Sequence, residues 1–567
     1  MKKRIAIVGG GPSGMFMYKR FVDAASQDVA ISIFERKSYL GAGMPYSVEG
    51  SNYEHITNVS GNEIPEIVTP ISEWIKTIPQ ETLDLFKINK DKFNDYRVLP
   101  RLLFGQYLAA QFDMLFEIAE KNGLETHVHL QTDVIDIVHK TSDNKVWIET
   151  SNAELHKFDS VIICSGHNWP KTYEGKVPGY FDSPYPPSKL AIKLNHPVAI
   201  KGSSLTAIDA IRTLARQNGS FSEKNGLLHF NPADDMGDFK IVMHSRSGLL
   251  PAVRFHLEDT HLQNDSLLTP EEINAHRLEN DGFLSLDYLF EKDFKRIFLE
   301  KDPKFYDYIK HMSIEDFVHA MLELREHLDP FLLLKAEYKE AEKSIKQKES
   351  VYWKEMLAVL SFAMNYPAKY LSAEDMIRLQ KVLMPLISIV IAFVPQASCR
   401  EMLALHEAGI LEIIPVGSDS RIEIQQKGGI NYTYKDEHGK EQSTYYKTFI
   451  DCVGQPHLSY EDFPFKSLIT DKVISPAMIK FKSASEGMTA MSTNNSVIKS
   501  DAGNYYLKVS GITINDHFQV VDAYGAFNDQ IYIMAVPYIG GYNPDYSGLD
   551  FCEAASGKIV EVIVQQN

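Results

Sequence analysis

Short β-branched and apolar runs alternate with helix-forming stretches from the start of the chain. Residues 4–8 read as a strand, 12–25 as a helix and 29–34 as a second strand. That order is a βαβ unit in a parallel sheet. Residues 101–121 carry a helical pattern that Asn122-Gly123 stops. Residues 132–138 and 145–150 read as strands around a Ser142-Asp143-Asn144 turn, and 159–164 as a buried strand ending in Ser165-Gly166. The pattern restarts at Pro197: a strand over 198–200, a small-residue turn over 202–207, a helix over 207–217, a loop over 218–238 and a strand over 239–244. Residues 265–410 differ, with Leu, Glu and Lys at helical spacing. They include a strongly charged helix over 337–356, whose charges the pattern assigns to a solvated face. Residues 411–453 turn β-rich around a hairpin loop at 436–439. The tail reads as a strand over 531–536, a Gly/Tyr/Pro loop and a final helix from Gly548.

This alternation predicts an α/β fold with two Rossmann-like units, the second interrupted by helices. The expected boundaries are 1–195 and 459–567 for a first, discontinuous domain, 196–264 and 411–458 for a second domain inserted in it, and 265–410 for a helical insertion.

Composition narrows the function. The chain has 567 residues, 44% of them hydrophobic, and a formal net charge of −17, which argues against nucleic acid as the main partner. The four cysteines stand singly, without a C-x-x-C pair, as in a reducing compartment. The longest apolar run, 382–394, contains Pro385 and falls short of a bilayer span, so it reads as a buried helix and the protein as cytoplasmic, with no membrane partner. The histidines form no metal-ligand spacing.

Two motifs carry chemistry. Gly9-Gly10-Gly11-Pro12-Ser13-Gly14 lies between a strand and a helix. In this pattern Gly9 permits a tight turn, Gly11 lets the backbone approach a pyrophosphate, and Gly14 lets helix and strand pack closely. The helix N-terminus faces the phosphates, and Glu35, at the end of the next strand, is placed to accept hydrogen bonds from a ribose diol. Gly202-Ser203-Ser204-Leu205-Thr206-Ala207 is a weaker copy, for which an ordinary strand–helix turn is the alternative. Ser245-Arg246-Ser247 ends its next strand, and an arginine flanked by hydroxyls suits a 2′-phosphate, hence NADPH rather than NADH. A surface ion pair is the alternative for Arg246.

These motifs resemble those of two-dinucleotide-binding-domain flavoproteins, which implies that the first, discontinuous domain is an FAD domain and the inserted second one an NADP domain. More narrowly, Gly41-Ala42-Gly43-Met44-Pro45-Tyr46, His55-Ile56-Thr57-Asn58-Val59 and Ser245-Arg246-Ser247-Gly248-Leu249-Leu250-Pro251 are similar to bacterial FAD-NAD(P)-binding proteins, distant relatives of N-hydroxylating flavin monooxygenases. The resemblance implies FAD contacts at Gly9, Gly11, Pro12, Ser13, Gly14, Glu35, Arg36, Gly43, Met44 and Tyr46. It places Asn58 near the flavin ring as the candidate catalytic residue, and Val134 at the adenine. Ser165 and Gly166, after Cys164, and Gly454, after Asp451-Cys452-Val453, look like strand-end turns at the two nucleotide sites. Gly202, Ser203, Ser204, Leu205, Thr206, Ser245 and Arg246 would hold NADPH. Asn543-Pro544-Asp545-Tyr546-Ser547-Gly548-Leu549-Asp550 looks like the last flavin-binding segment, with its helix dipole favouring the anionic reduced flavin.

With no redox-active cysteine pair, a disulfide reductase is not expected. The implied function is an NADPH-dependent flavin monooxygenase that uses O2 to hydroxylate a small polar substrate such as an amine or amino acid. The alternatives are an NADPH reductase that inserts no oxygen, or a flavin-binding sensor or scaffold. The insertion reads as a lid over the flavin or as a partner-binding element. Arg254, His256 and Arg400 flank it as candidate holders of a substrate carboxylate. Asp209 reads as structural, and the oligomeric state is left open.

Overall fold

The structure is a computed structural model that describes residues 2–25, 27–167, 169–258, 267–455, 457–544 and 548–565. Its first sheet is built around Lys3–Val8, which pairs in parallel with Val29–Phe34 on one side and Ser160–Ile163 on the other. Glu125–His129 extends the sheet beyond Val29–Phe34, and Phe527–Ile533 beyond Ser160–Ile163. Gln519–Val521 closes that edge in antiparallel fashion. The central strands are largely apolar because the sheet is covered on both faces, by helices and by the strands Lys145–Thr150 and Leu155–Phe158 that contact its centre; Ile5, Ile7, Ile31, Val161 and Ile163 are fully buried. Pro12–Asp23 packs against both Arg101–Lys121 and Leu549–Gln565.

The second sheet is entirely parallel, in the order Tyr180–Phe181, Thr448–Asp451, Pro197–Lys201, Lys240–Ser245, Leu411–Pro415. The restart at Pro197 therefore repeats a whole architecture. Each unit runs strand, glycine turn, helix and strand, and each places a three-stranded antiparallel meander before its last central strand. The meanders are Val134–Lys140, Lys145–Thr150, Leu155–Phe158 and Arg421–Ile424, Ile430–Lys435, Glu441–Tyr446.

Helices fill the chain from Pro270–Glu279 to Gln396–Glu407, but they do not form a separate body. Leu289, Phe294, Phe317, Leu357, Leu383 and Ile387 belong to the apolar core that also contains the first sheet. Phe331, Leu334, Cys399, Met402 and Leu405 join the core of the second. Gln396–Glu407 runs into Leu411–Pro415 as a crossover helix of the parallel sheet. Replacing the whole region by a linker would open both cores, so excision cannot serve as a clean test of a lid.

Three local expectations are corrected. The loop expected over 218–238 contains a hairpin, Gly219–Lys224 with Leu227–Pro232. It turns at Asn225-Gly226, both at positive φ, and an Asn-Gly pair is itself a hairpin signal. The charged helix expected over 337–356 is two helices, Pro330–Gln347 and Tyr352–Ala363, separated after a left-handed Lys348 (φ 55°). Its charges are not merely a solvated face. Lys354 is buried and bonds Glu337 at 3.0 Å and Glu340 at 2.9 Å, while Arg325 also reaches Glu337. Burial with an opposite charge replaced solvation here. The sequence reading also passed over 459–526, which holds an antiparallel sheet of Pro476–Lys480, Tyr505–Ile512 and Val497–Lys499.

The apolar run at 382–394 is interior: Leu383, Leu386, Ile387, Val390 and Val394 are fully buried. Among the described residues no helix is long and apolar enough to cross a membrane.

Candidate functional site

At the carboxyl end of Lys3–Val8 the chain turns through Gly9, at φ +112°. A Cβ there would lie 2.6 Å from the Cys164 carbonyl oxygen, so only glycine fits. Gly14 faces back across the turn, where a Cβ would meet the Gly9 oxygen at 2.0 Å. Pro12 begins the helix, where its missing N–H is no loss. Both oxygens of Glu35 accept backbone hydrogen bonds, from Gly10 N and Lys37 N at 2.8 Å each. Its carboxylate is thus oriented while retaining free lone pairs. Arg36 beside it is exposed. Thr132 N bonds the Glu35 carbonyl at 2.9 Å, bringing the start of Val134–Lys140 alongside.

Gly41 N bonds Gly10 O at 2.8 Å, folding the loop of Gly43, Met44 and Tyr46 over the turn. A Cβ on Gly11 would sit 3.3 Å from Gly43 Cα. Ser13 Oγ lies 3.3 Å from Cys552 Sγ on the last helix, so its hydroxyl is engaged within the protein. Ser165 Oγ, by contrast, is buried without a hydrogen-bond partner, immediately after the carbonyl that faces Gly9. An orphaned hydroxyl, a glycine-walled turn, a helix N-terminus and an oriented carboxylate form a donor and acceptor set that fits an adenine dinucleotide. Gly166 and Gly548 have open space around them and no steric need for glycine. Gly11→Val is expected to purify colourless, with at least about a tenfold loss of bound FAD in its absorbance spectrum, because a side chain would occupy the phosphate approach.

The second turn copies the first. Gly202 has φ +109°, and a Cβ there would lie 2.8 Å from the Cys452 carbonyl oxygen. Gly9 N bonds Phe34 O at 2.9 Å, and Gly202 N bonds His244 O at 2.8 Å. Ser204 is the N-cap of Leu205–Gln217, and Gly454 (φ +100°) approaches Thr206 Oγ1. Ser203 Oγ is used internally, donating to Leu249 O at 2.8 Å. Ser245 is buried at the end of its strand, whereas Arg246 is exposed and makes no ion pair among the described residues. An unpaired guanidinium there fits a 2′-phosphate. Arg246→Ala is expected to lower the NADPH/NADH preference by about tenfold to a hundredfold, on the order of 1.5–3 kcal/mol, read from steady-state kcat/KM with each coenzyme.

Between the two units lies a polar junction that the sequence reading missed. Arg101 and Tyr185 both bond the Asp209 carboxylate, at 2.5 and 2.7 Å. His55, fully buried, places Nε2 3.1 Å from Thr213 Oγ1 and 3.2 Å from Asp209 O. Burial opposes ionisation of Asp209, but Arg101 and His55 hold its carboxyl below the ordinary value. Asp209 is structural, as expected, and it fastens one domain to the other. The partners are distant in sequence, so no spacing announced them.

Arg254 is corrected. It is buried, and its guanidinium bonds Asn58 O, Ser60 Oγ (2.7 Å) and the Glu63 carboxylate, so three of its five N–H donors and its charge are taken up within the protein. Asn58 is held through its carbonyl on strand Ile56–Ser60. The His256 ring packs at a tilt against Tyr96, 4.6 Å between centroids, and Arg400 reaches Glu223 at 3.5 Å. A cavity of about 870 Å³ opens here, walled by Ile56 and Ser60 from the first domain, Arg212 and Phe255 from the second, and Gln396 from the crossover helix.

Glu401 at its edge is gripped by Arg212 (2.8 Å) and Arg216 (2.7 Å). Burial opposes its ionisation, but the two arginines hold the carboxyl at about 2. A depressed folded-state value contributes stability above the ordinary carboxylate range, and that contribution is lost as pH falls toward 2. Urea midpoints measured from pH 5 to pH 2.5 should fall more steeply for the parent than for Glu401→Gln.

Asn543, expected at the flavin, is buried in the wall of a smaller cavity of about 240 Å³. Burial and Lys369 push Lys558 there down to about 8, and burial raises Asp293 to about 7. Leu549, also buried, opens the last helix. Asp545, Tyr546 and Ser547 lie outside the described residues.

The FAD-NAD(P)-binding family model matches residues 6–168, and the YdhS-like middle domain model matches residues 269–391. The protein YdhS of Escherichia coli (strain K12) is 29% identical over 474 residues, covering 82% of this chain and 86% of that protein. The thiol-specific monooxygenase of Saccharomyces cerevisiae is 28% identical over 175 residues, 29% of this chain; the match spans about a third (34%) of that enzyme. The ornithine N-hydroxylase of Kutzneria sp. 744 aligns over 100% of both chains, with a TM-score of 0.46 and 12% identity. Residues 6–168 are thus an FAD-NAD(P)-binding domain, joined in one chain to a YdhS-like middle domain at residues 269–391.

Proposed function

We propose that this protein is an FAD-containing, NADPH-consuming monooxygenase acting on a small polar molecule. The observation that carries this reading is the cavity of about 870 Å³ between the two dinucleotide-type domains, a volume suited to a third molecule. Ile56 and Ser60, which flank Asn58 on its strand, line it. When bound, the flavin supplies hydride acceptance from NADPH and reaction with O2. The chain supplies placement. Glu35 and the Gly9–Gly14 turn orient the adenosine end, Arg246 selects the phosphorylated coenzyme, and the Arg101–Asp209–Tyr185 junction fixes the two domains relative to each other. Two further facts support the reading. All four cysteines are free and buried, and burial pushes their thiols up, away from redox exchange. A 28%-identical relative over 175 residues is a monooxygenase.

The test is stoichiometric. FAD-loaded protein is supplied with NADPH and labelled O2 in the presence of candidate metabolites, and NADPH use, peroxide and label in the product are measured together. One labelled oxygen per NADPH in a product supports the reading. NADPH use that appears wholly as peroxide or as a reduced acceptor makes the protein a reductase, and no NADPH use makes it a sensor or scaffold.

A further inference from the structure

The chain carries a net charge of −17, yet its large interdomain cavity is walled by seven Lys and Arg side chains against two Glu. Three of the seven are paired within the protein: Arg254 with Glu63, and Arg212 and Arg216 with the single Glu401 they share. Among the described residues Arg400 pairs with one carboxylate, Glu223 at 3.5 Å on the surface, and reaches Gly226 O at 3.5 Å. Lys87, Lys92 and Arg97 make no ion pair among the described residues. Of the two acids, Glu401 is consumed by its arginines, and Glu54 bonds Thr213 Oγ1 at 2.7 Å and faces His55.

Apart from Ser60, Asn94 and Gln396, the rest of the wall is apolar or aromatic. Phe86, Ile88, Phe255 and Leu257 are buried beneath it, Tyr96 packs at a tilt against His256 at 4.6 Å, and Tyr53 packs on Phe86 at 5.6 Å. A concave, low-dielectric wall with uncompensated cations concentrates anions and repels cations. Flat aromatic walls take an apolar or planar body.

We infer that this cavity binds a small molecule bearing at least two anionic groups, carboxylate or phosphate, on an apolar body, and that a cationic amine is excluded from it. Lys87, Lys92, Arg97 and Arg400 face the anionic groups, in place of the Arg254 that the sequence suggested. The inference rests on the monooxygenase reading only for calling this molecule the substrate; binding is a separate question.

Calorimetry on the full-length, FAD-loaded protein, saturated with NADP+ so that the nucleotide site is filled, separates the two. The probes are trimesate, inorganic pyrophosphate and putrescine. Trimesate should bind saturably and weaken steeply with added salt, and putrescine should not bind. Pyrophosphate binding more tightly than trimesate would identify the anionic groups as phosphates, and the reverse order as carboxylates. The triple variant Lys87→Gln/Lys92→Gln/Arg97→Gln should lose at least about tenfold in affinity for the preferred anion. Arg97→Lys, which keeps the charge, should stay within about threefold, separating charge from misfolding. The inference is overturned if neither anion binds, if putrescine binds as tightly, if the triple variant binds unchanged, or if trimesate displaces NADP+. NADPH-driven flavin reduction is recorded in parallel. Reduction without anion binding defeats this inference alone, whereas anion binding without reduction defeats the oxidoreductase reading and leaves the site standing.

Discussion

Arg254→Ala is expected to destabilise the protein by about 3–5 kcal/mol, because it removes one partner of a buried ion pair and leaves the other charge behind. Glu63 would retain only Ser60 N at 2.8 Å and Ser60 Oγ at 2.7 Å for a carboxylate in a largely buried site. The Arg254 backbone is also fixed, with N bonded to Val394 O and O accepting from Gln396 Nε2, so the side chain cannot be replaced by a shift of the strand. Urea unfolding followed by both tryptophan fluorescence and circular dichroism measures the loss. The second variant, Arg254→Ala/Glu63→Gln, should recover part of it, since a neutral amide is cheaper to bury than a lone carboxylate. A single-variant loss below about 1 kcal/mol would show that the pair is solvated and that the domain junction is held elsewhere.

The second large effect is at Gly14. A Cβ there would lie 2.0 Å from the Gly9 carbonyl oxygen, a backbone atom fixed in turn by the Gly9 N–Phe34 O bond. Neither partner is a flexible side chain, so Gly14→Val must push the first helix off the sheet at a cost of about 3 kcal/mol or more. The expected result is insoluble or proteolytically sensitive protein, seen in expression yield and limited proteolysis. The corresponding position of the second unit is already Ala207, fully buried. A Gly14→Val protein with the parent's unfolding midpoint would mean that the first turn relaxes in solution to the looser form of the second.

What the sequence made legible was local. Arg101–Lys121 was read with its observed ends, Asn122-Gly123 marking the stop, and both strand–glycine–helix turns announced themselves within six positions. The hairpin at Asn225-Gly226 carried an equally local signal that the reading overlooked. The meander Arg421–Ile424, Ile430–Lys435, Glu441–Tyr446 was seen as β-rich, but not as the counterpart of 134–158. Residues joined only through space were opaque. Arg254 looked like a free substrate ligand because Glu63 lies far back in the sequence, and Arg101, Tyr185 and Asp209 meet from three distant segments. The basic cavity was hidden for the same reason. Lys87, Lys92 and Arg97 are unremarkable surface residues until folding sets them opposite Phe255 and Arg400.

The pairing of Ser160–Ile163 with Phe527–Ile533 dictates an order of birth for the two sheets. On the ribosome the second sheet has all its strands once residue 451 has emerged. The first must wait with one flank of an apolar strand uncovered until nearly the whole chain has been made. Nascent protein is therefore at its stickiest for most of its own synthesis, because an open, hydrophobic strand edge templates further β-pairing. A message truncated anywhere between codons 452 and 526 would yield a finished second sheet attached to a first that can never close, and such products should enter aggregates rather than persist as soluble fragments.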